Sequence, residues 1–250
     1  MSDDAGEREA AFNLRGLKVV VAIPSLKGQI DIRSAGALME AAAQLGANGA
    51  QLGINHVSGC SVLPRARNTL VDAFLESDGT HMFLIDADTV FTADDLIRMI
   101  CWATAKDVVT GIVPKKQEMP HVFATWPHWK NGAEGLHTHD PKLPLIQLDR
   151  IGMAFTCVQR HVLEELVLIH PELQYEDQQG GKTHTALFDF VLKDRKYLGE
   201  DYVFCDHLTS AGYEIWADPT LTLSHAGSKD FTGSYAELIL NSNATKPVAA

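Results

Sequence analysis

The chain has 250 residues and a formal net charge of −11, with 46% hydrophobic and 21% charged side chains. That composition excludes a disordered or fibrous chain, and the acidic balance argues against a large non-specific phosphate-binding surface, so an anionic ligand would need a metal ion or a focused Arg and Lys cluster. Cys60, Cys101, Cys157 and Cys205 are widely spaced and form no Cys-x-x-Cys pair, which suggests neither a zinc site nor a disulfide framework and fits a reducing cytoplasm.

Residues 1–16 are polar and mostly acidic where charged, and read as a flexible leader without the apolar core of a signal peptide. No apolar run approaches bilayer-spanning length, so a soluble protein of the cytoplasm is expected, the host's if the source is a virus. Lys18 to Ile23 is a continuous apolar run ended by Pro24, the pattern of a strand buried on both faces. Ser34 to Leu45 has helical spacing and closes at Gly46; Gln51 to Val57 reads as a second strand; Pro64 opens a helix with its stripe at Leu70, Val71, Phe74 and Leu75. Met82 to Ile85 is the third strand. Thr92-Ala-Asp-Asp95 starts a helix to about Ala105 as a capping-box variant, and Val108 to Val113 is a fourth strand stopped by Pro114. Strands alternating with helices in this way predict a Rossmann-like parallel sheet with right-handed crossovers.

Residues 117–144 are rich in Pro, His, Trp and Gly without a clear period, and read as a long excursion with a hairpin around His121 to Trp126. Leu145 to Ile151 and Ala154 to Val158 are expected strands, Arg160 to Leu168 a helix, and Tyr175 to Thr185 a flexible loop. Glu200-Asp201 open a helix through Ser210, and Gly212 ends it. Tyr213 to Ala217 and Leu221 to Ser224 are the last strands, and residues 229–250 are expected to form a lid or tail, with one short amphipathic segment at Tyr235 to Leu240.

Three signals carry chemistry. Asp86 and Asp88 follow an apolar strand; side chains two apart in an extended segment leave one face, so both carboxylates are expected at the carboxyl end of a buried strand, where ligands of open α/β sheets sit. Such a pair is costly to bury unpaired but binds a hard divalent cation. Glu200-Asp201 is a second acidic pair, at a helix start, and His225 follows a strand. Trp126 and Trp129 offer aromatic faces for an acceptor sugar or base, or for packing. His137-Thr-His139-Asp140 reads as a polar loop, since no regular element frames it for a metal.

In this order the motifs resemble a glycosyltransferase of the GT-A fold, family 2-like and of phage or bacterial type. The matching residues are Ile23-Pro24-Ser25, Arg65-Ala-Arg67-Asn68, Leu84-Ile-Asp86-Ala-Asp88, Val109-Thr-Gly111, Ile151-Gly152, Glu200-Asp-Tyr202, Gly212 to Pro219, and His225, covering most of residues 17–228. The resemblance implies an α/β fold with a mostly parallel central sheet flanked by helices and a smaller acceptor-side sheet. It implies one catalytic unit over 17–228, with the donor bound by 17–116 and the acceptor by 117–228. The donor would be a nucleotide-sugar, a UDP-sugar being the commonest. Pro24 and Ser25 would receive the nucleobase and ribose with Arg65, Arg67 and Asn68 nearby, and Gly152 would join this donor-binding set. Asp86 would face the ribose and flank the metal, Asp88 would bind Mn²⁺ or Mg²⁺, and His225 would complete that site. Lys115, or its neighbour Lys116, would meet the diphosphate. Asp201 would be the base, with Glu200 as the neighbour able to replace it, and a base opposite the leaving group implies inversion.

The Gln-x-x-Arg-Trp sequence of processive synthases is absent, which favours a single-transfer enzyme. A sugar nucleotidylyltransferase is the alternative on the same fold, although Ser25-Leu-Lys-Gly-Gln is a poor version of its basic Gly-rich loop; a non-catalytic nucleotide- or sugar-binding module and a retaining transferase stand beside it. The acceptor is left open among a small metabolite, a glycan, a protein side chain and a hydroxymethylated base in phage DNA, the acidic balance weighing against the last.

Overall fold

In the computed structural model, which describes residues 12–117, 122–176, 181–227 and 229–244, the first apolar run forms strand β1 (Lys18–Ser25). Helix α1 (Ile32–Ala47) starts at Asp31, whose carboxylate accepts from the Arg33 amide. Strand β2 (Gln51–Ser58), helix α2 (Leu63–Leu75) with Pro64 in its first turn, and strand β3 (His81–Ile85) follow. A two-residue strand β4 (Thr89–Val90) leads to helix α3 (Ala93–Ala103), where Thr92 and Asp95 form the expected reciprocal capping box, and to strand β5 (Val108–Gly111). The second half holds strands β6 (Thr125–Pro127), β7 (Ile146–Ile151) and β8 (Phe155–Gln159), helix α4 (Arg160–Ile169), and the hairpins of β9 (Gln174–Glu176) with β10 (Thr183–Thr185) and β11 (Val191–Lys193) with β12 (Lys196–Leu198). Helix α5 (Glu200–Ser210), strands β13 (Ile215–Asp218), β14 (Leu223–His225) and β15 (Phe231–Gly233), and helix α6 (Tyr235–Ala244) complete it.

Eight strands form one sheet in the order β2-β1-β3-β8-β5-β13-β7-β6. β1 runs parallel to β2 and β3, and β5 to β13, whereas β8 and β7 run against their neighbours. Six of the eight strands therefore point one way, and the sheet is mostly parallel as the sequence pattern implies. The antiparallel β8 between β3 and β5 interrupts the simple succession of parallel strands that the pattern suggests. Its buried residues Phe155 to Val158 suit a central position on either strand direction. The hydroxyls of Thr110 and Thr156, facing each other across β5 and β8 at 2.8 Å, satisfy one another in the interior.

The period of two divides the core. Val19, Val21, Phe83, Ile85 and Val109 pack toward Leu38 and Leu45 of α1 and Met99 and Ile100 of α3, while Ala22, Met82, Leu84 and Val108 pack toward Leu70 and Phe74 of α2 and Val162 and Leu166 of α4. The result is three layers, helix on sheet on helix.

Four expectations take a different form. The loop expected at Tyr175 to Thr185 contains the β9–β10 hairpin, where Tyr175 stacks on His184; residues 177–180 lie outside the described residues. Of the hairpin expected around His121 to Trp126, His121 lies outside them, and Trp126 belongs to a strand paired with β7 through an irregularity at Trp126 and Pro127. The final strand β14 does not join the main sheet: it pairs with β4 and β15 in a separate three-stranded sheet. The segment after residue 228, expected as a lid or tail, supplies β15 and Tyr235, which packs edge-on against Phe123. Residues 1–11 of the expected leader and 245–250 are outside the described residues. No helix among the described residues is long and apolar enough to cross a membrane.

Gly111 sets how closely β14 approaches the main sheet. A Cβ there would lie 2.8 Å from both Leu223 Cδ1 and Phe155 Cδ1, inside van der Waals contact. Gly111→Ala is expected to cost about 1–3 kcal/mol in urea unfolding through overpacking; an unchanged midpoint would show that β14 has room to move.

Candidate functional site

β3 stops at Ile85 because the chain turns there: the Thr89 amide donates to the Asp86 carbonyl at 2.9 Å, and the Asp86 amide to Ala154 at 3.1 Å. The expectation that Asp86 and Asp88 leave one face of an extended strand is thereby corrected. The turn separates the carboxylates, sending Asp86 toward α2 and Asp88 toward the small sheet. Three contacts hold it: Asp31 donates its amide to the Ala87 carbonyl at 3.2 Å, Ser34 its hydroxyl to Thr89 at 2.7 Å, and Ala226 its amide to the Asp88 carbonyl at 2.8 Å. The pairing of His225 with Thr89 places the imidazole beside Asp88.

His225 Nδ1 lies 3.0 Å from the Pro114 carbonyl, and Nε2 lies 3.2 Å from Asp88 Oδ1. A carbonyl only accepts, so Nδ1 carries a proton and Nε2 is the nitrogen left to act as a ligand. The 3.2 Å between Nε2 and Asp88 Oδ1 is a hydrogen-bonding distance when Nε2 carries a proton, and the same two atoms could instead flank a metal ion. Lys116 Nζ sits 2.5 Å from the other oxygen, Asp88 Oδ2. Burial pushes the Asp88 carboxyl up, but the hydrogen bonds and charges of His225 and Lys116 outweigh it and bring the carboxyl down to about 2.

The expected metal set of Asp86, Asp88 and His225 does not converge as three donors; among the described residues no group of three or more His, Cys, Asp or Glu side chains does so. Asp88 and His225 come together, and Asp86 does not join them. One carboxylate and one imidazole still fit Mn²⁺ or Mg²⁺, which keep several positions for water and substrate phosphate oxygens.

Asp86 belongs to a second cluster. The Arg67 side chain is 1% exposed and faces three carboxylates: Nη2 reaches Asp86 Oδ1 at 3.0 Å, and Nη1 reaches Glu200 Oε1 at 3.2 Å and also Asp201 Oδ1. Its Cζ lies 5.6 Å from the Phe188 ring centroid, and Nε has no hydrogen-bond partner among the described residues. Glu200 and Asp201 open α5, where the helix dipole also favours negative charge. Arg67 is thus committed to acids of this chain rather than presented to a nucleotide.

Its neighbours are corrected likewise. Asn68 is buried and its amide pairs both ways with the Phe188 backbone, at 2.9 Å each way. Arg65 lines a separate depression with Leu173 and Tyr175. Gly152 lies against the catalytic candidate instead of the cleft, for a Cβ on it would come 3.6 Å from Asp201 Oδ2. Lys115 uses its backbone amide on Val122, and Lys116 is the lysine that reaches Asp88.

Pro24, Ser25, Asp86 and Asp88 do line one cleft, of about 740 Å³, together with Lys27 and Gly227. It opens at the carboxyl ends of β1 and β3, as the topology of open α/β sheets favours. Ser25 Oγ donates to the Gln29 carbonyl at 2.7 Å and accepts from the Gln29 amide at 2.8 Å, which fixes the loop over this end. An apolar cavity of about 410 Å³ between α1 and β2 shares Ser25, Gln29 and Ile30 with it. Arg33 of α1 bonds Asp31 and reaches Asp230, tying the segment after His225 to the cleft's rim. Sequence reading missed this tie, since an ion pair across 197 positions leaves no local signal.

No family model matches the chain, and no curated protein matches it. Among solved structures it is similar to the 4-diphosphocytidyl-2C-methyl-D-erythritol synthase of Anaerococcus prevotii, at a TM-score of 0.41 and 9% identity, covering 91% of this chain and 97% of that one. It is also similar to a nucleoside-diphosphate-sugar pyrophosphorylase of Vibrio cholerae, at 0.36 and 9% identity, covering 81% of this chain and 72% of that one. A third is S. aureus TarS residues 1–349 in complex with UDP-GlcNAc, at 0.39 and 10% identity, covering 80% of this chain and 56% of that one.

Two outcomes follow from the clusters. Arg67→Met leaves three carboxylates facing one another and is expected to cost about 3 kcal/mol or more in urea unfolding, with no rescue by Arg67→Lys, which lacks the planar fork. The folded Asp88 carboxyl titrates below its unfolded value of 3.8, at about 2, so its contribution is present above pH 3.8 and is lost as pH falls toward 2. In metal-free protein, Asp88→Asn is expected to flatten the stability curve over that interval; identical slopes would remove the interaction.

Proposed function

We propose that the protein is a metal-dependent glycosyltransferase of the GT-A fold that moves a sugar from a nucleotide-sugar, a UDP-sugar first, to an acceptor hydroxyl with inversion. The observation that carries this is the approach of the His225 Nε2 to Asp88, which lines a cleft at the carboxyl ends of β1 and β3, with the imidazole bonded to the Pro114 carbonyl. Asp88 and His225 would hold Mn²⁺ or Mg²⁺. When bound, the ion supplies Lewis-acid stabilisation of the charge that develops on the departing diphosphate.

The chain's own residues have separable parts. Pro24 and Ser25 shape the end of β1 where the nucleoside would lie. Lys116, now on Asp88, is a second cation within reach of phosphate oxygens. Arg67 grips Asp201 through Oδ1 and leaves Oδ2 on the side of Gly152. The acceptor hydroxyl gives its proton to Asp201 Oδ2 as its oxygen bonds the anomeric carbon; the bond from that carbon to the diphosphate oxygen breaks, and its electron pair leaves with the nucleoside diphosphate. Glu200, buried and bonded to Arg67, is the less accessible of the two acids, which favours Asp201 as the base.

Calorimetric titration of UDP with and without Mn²⁺ tests the donor half. Wild-type protein is expected to bind in a metal-dependent manner and Asp88→Ala to lose at least tenfold in affinity; metal-independent binding unchanged in Asp88→Ala would defeat the assignment. Asp201→Asn is expected to keep UDP binding and reduce transfer by a factor on the order of 10² or more. Release of pyrophosphate from a nucleoside triphosphate would instead identify a nucleotidylyltransferase.

A further inference from the structure

Beside Asp201, outside the cleft, lies an aromatic surface that the donor site does not use. Trp126 is 54% exposed and stands opposite Arg150 across β6 and β7. The Arg150 guanidinium lies 5.8 Å from the Trp126 ring centroid and 5.9 Å from that of Tyr202, and the two rings meet edge-on at 6.4 Å and 88°. Asp206 holds Arg150 through two bonds, Nε to Oδ1 at 2.6 Å and Nη2 to Oδ2 at 2.8 Å. The cation is therefore neutralised and fixed in place, and it braces the indole instead of offering charge to a ligand. What remains is a half-exposed indole with the guanidinium over one face and Tyr202 edge-on to it, whose remaining apolar surface gains from being covered.

The position of this surface relates it to the proposed base. Gly152 lies two residues beyond Arg150 on the same strand path, about 7 Å away by strand geometry, and it abuts Asp201 Oδ2. The Gly152 amide donates to the Ala124 carbonyl at 2.9 Å, two residues before Trp126, and Tyr202 directly follows Asp201. The proposed base and the ring that meets the Trp126 indole are thus on consecutive residues, Asp201 and Tyr202, at the start of α5. With Arg150 neutralised by Asp206, the cation of this surface is not offered to a phosphate, and the net charge of −11 disfavours nucleic acid as well.

We propose that Trp126 is the acceptor platform: a pyranose ring of the acceptor lays its C–H face on the indole and turns a hydroxyl toward Asp201 Oδ2, so that the acceptor is a glycoside or glycan. The direction of transfer rests on the transferase reading above, whereas the platform itself does not. Saturation-transfer NMR on the full chain tests it with methyl β-D-glucopyranoside, methyl β-D-galactopyranoside and methyl N-acetyl-β-D-glucosaminide as probes and thymidine as the flat-base comparison. Wild-type protein and Trp126→Phe are expected to transfer saturation to the ring C–H protons of at least one glycoside, and Trp126→Ala to lose that signal at least tenfold. Trp126→Leu, which keeps apolar volume without a ring face, is expected to lose it equally, and this guards against misfolding of the smaller variant. No transfer to any glycoside, a signal unchanged in Trp126→Ala and Trp126→Leu, or a stronger signal for thymidine overturns the proposal. UDP titration with Mn²⁺ on the same wild-type sample separates the two ideas: its failure beside a Trp126-dependent glycoside signal defeats the transferase reading and leaves the platform standing.

Discussion

The site depends on one buried guanidinium. Arg67 holds acids from the end of β3 and from the start of α5 in a single cluster, and without it the two halves of the sheet would present unpaired carboxylates to each other. Taking a guanidinium fully out of water is costly, and its contacts to three carboxylates, one through Nη2 and two through Nη1, are what make that position tenable. The arrangement fixes where Asp86 and Asp201 stand, and everything proposed for the cleft inherits those positions.

Set against this is a second cation of opposite character. The Lys116 and Asp88 side chains are 38% and 45% exposed, whereas Arg67 is 1% exposed. A single ammonium on a flexible stem at a solvent-facing carboxylate is exchangeable; a planar fork locked among three acids is not. The turn between Asp86 and Asp88 therefore divides the site into a permanent scaffold on one side and a replaceable counter-ion on the other. That division is consistent with the roles proposed above for Asp88 and Asp201, one exchangeable and one fixed.

Much of this was legible in the sequence. The apolar run at Lys18, the capping box at Thr92 and the acidic opening of α5 at Glu200 each rest on local chemistry, and the structure places elements there. Asp88 and His225, 137 positions apart and expected near one another, do meet. Strand direction was not legible in β8, because a strand buried on both faces reads the same either way. The separate paths of Asp86 and Asp88 were hidden because a four-residue turn and an extended strand share the Asp-Ala-Asp sequence. Arg67 and Asn68 looked like ligand contacts because sequence shows a polar side chain but not its burial, and their partners lie 134 and 120 positions away.

Those separations have a consequence for how the molecule is made. Asp88 meets His225 and Arg67 meets Asp201 only after long loops have closed, and contacts of that kind form late in folding. During synthesis the amino-terminal half, with β1, β2, β3 and their helices, emerges with Arg67 facing Asp86 alone and with Asp88 lacking its imidazole. A chain interrupted before α5 would hold the strands of the cleft but neither of the α5 carboxylates that Arg67 meets in the whole molecule. Assembly of this site thus waits on the carboxyl-terminal half, since the α5 partners of Arg67 and the imidazole beside Asp88 are made last.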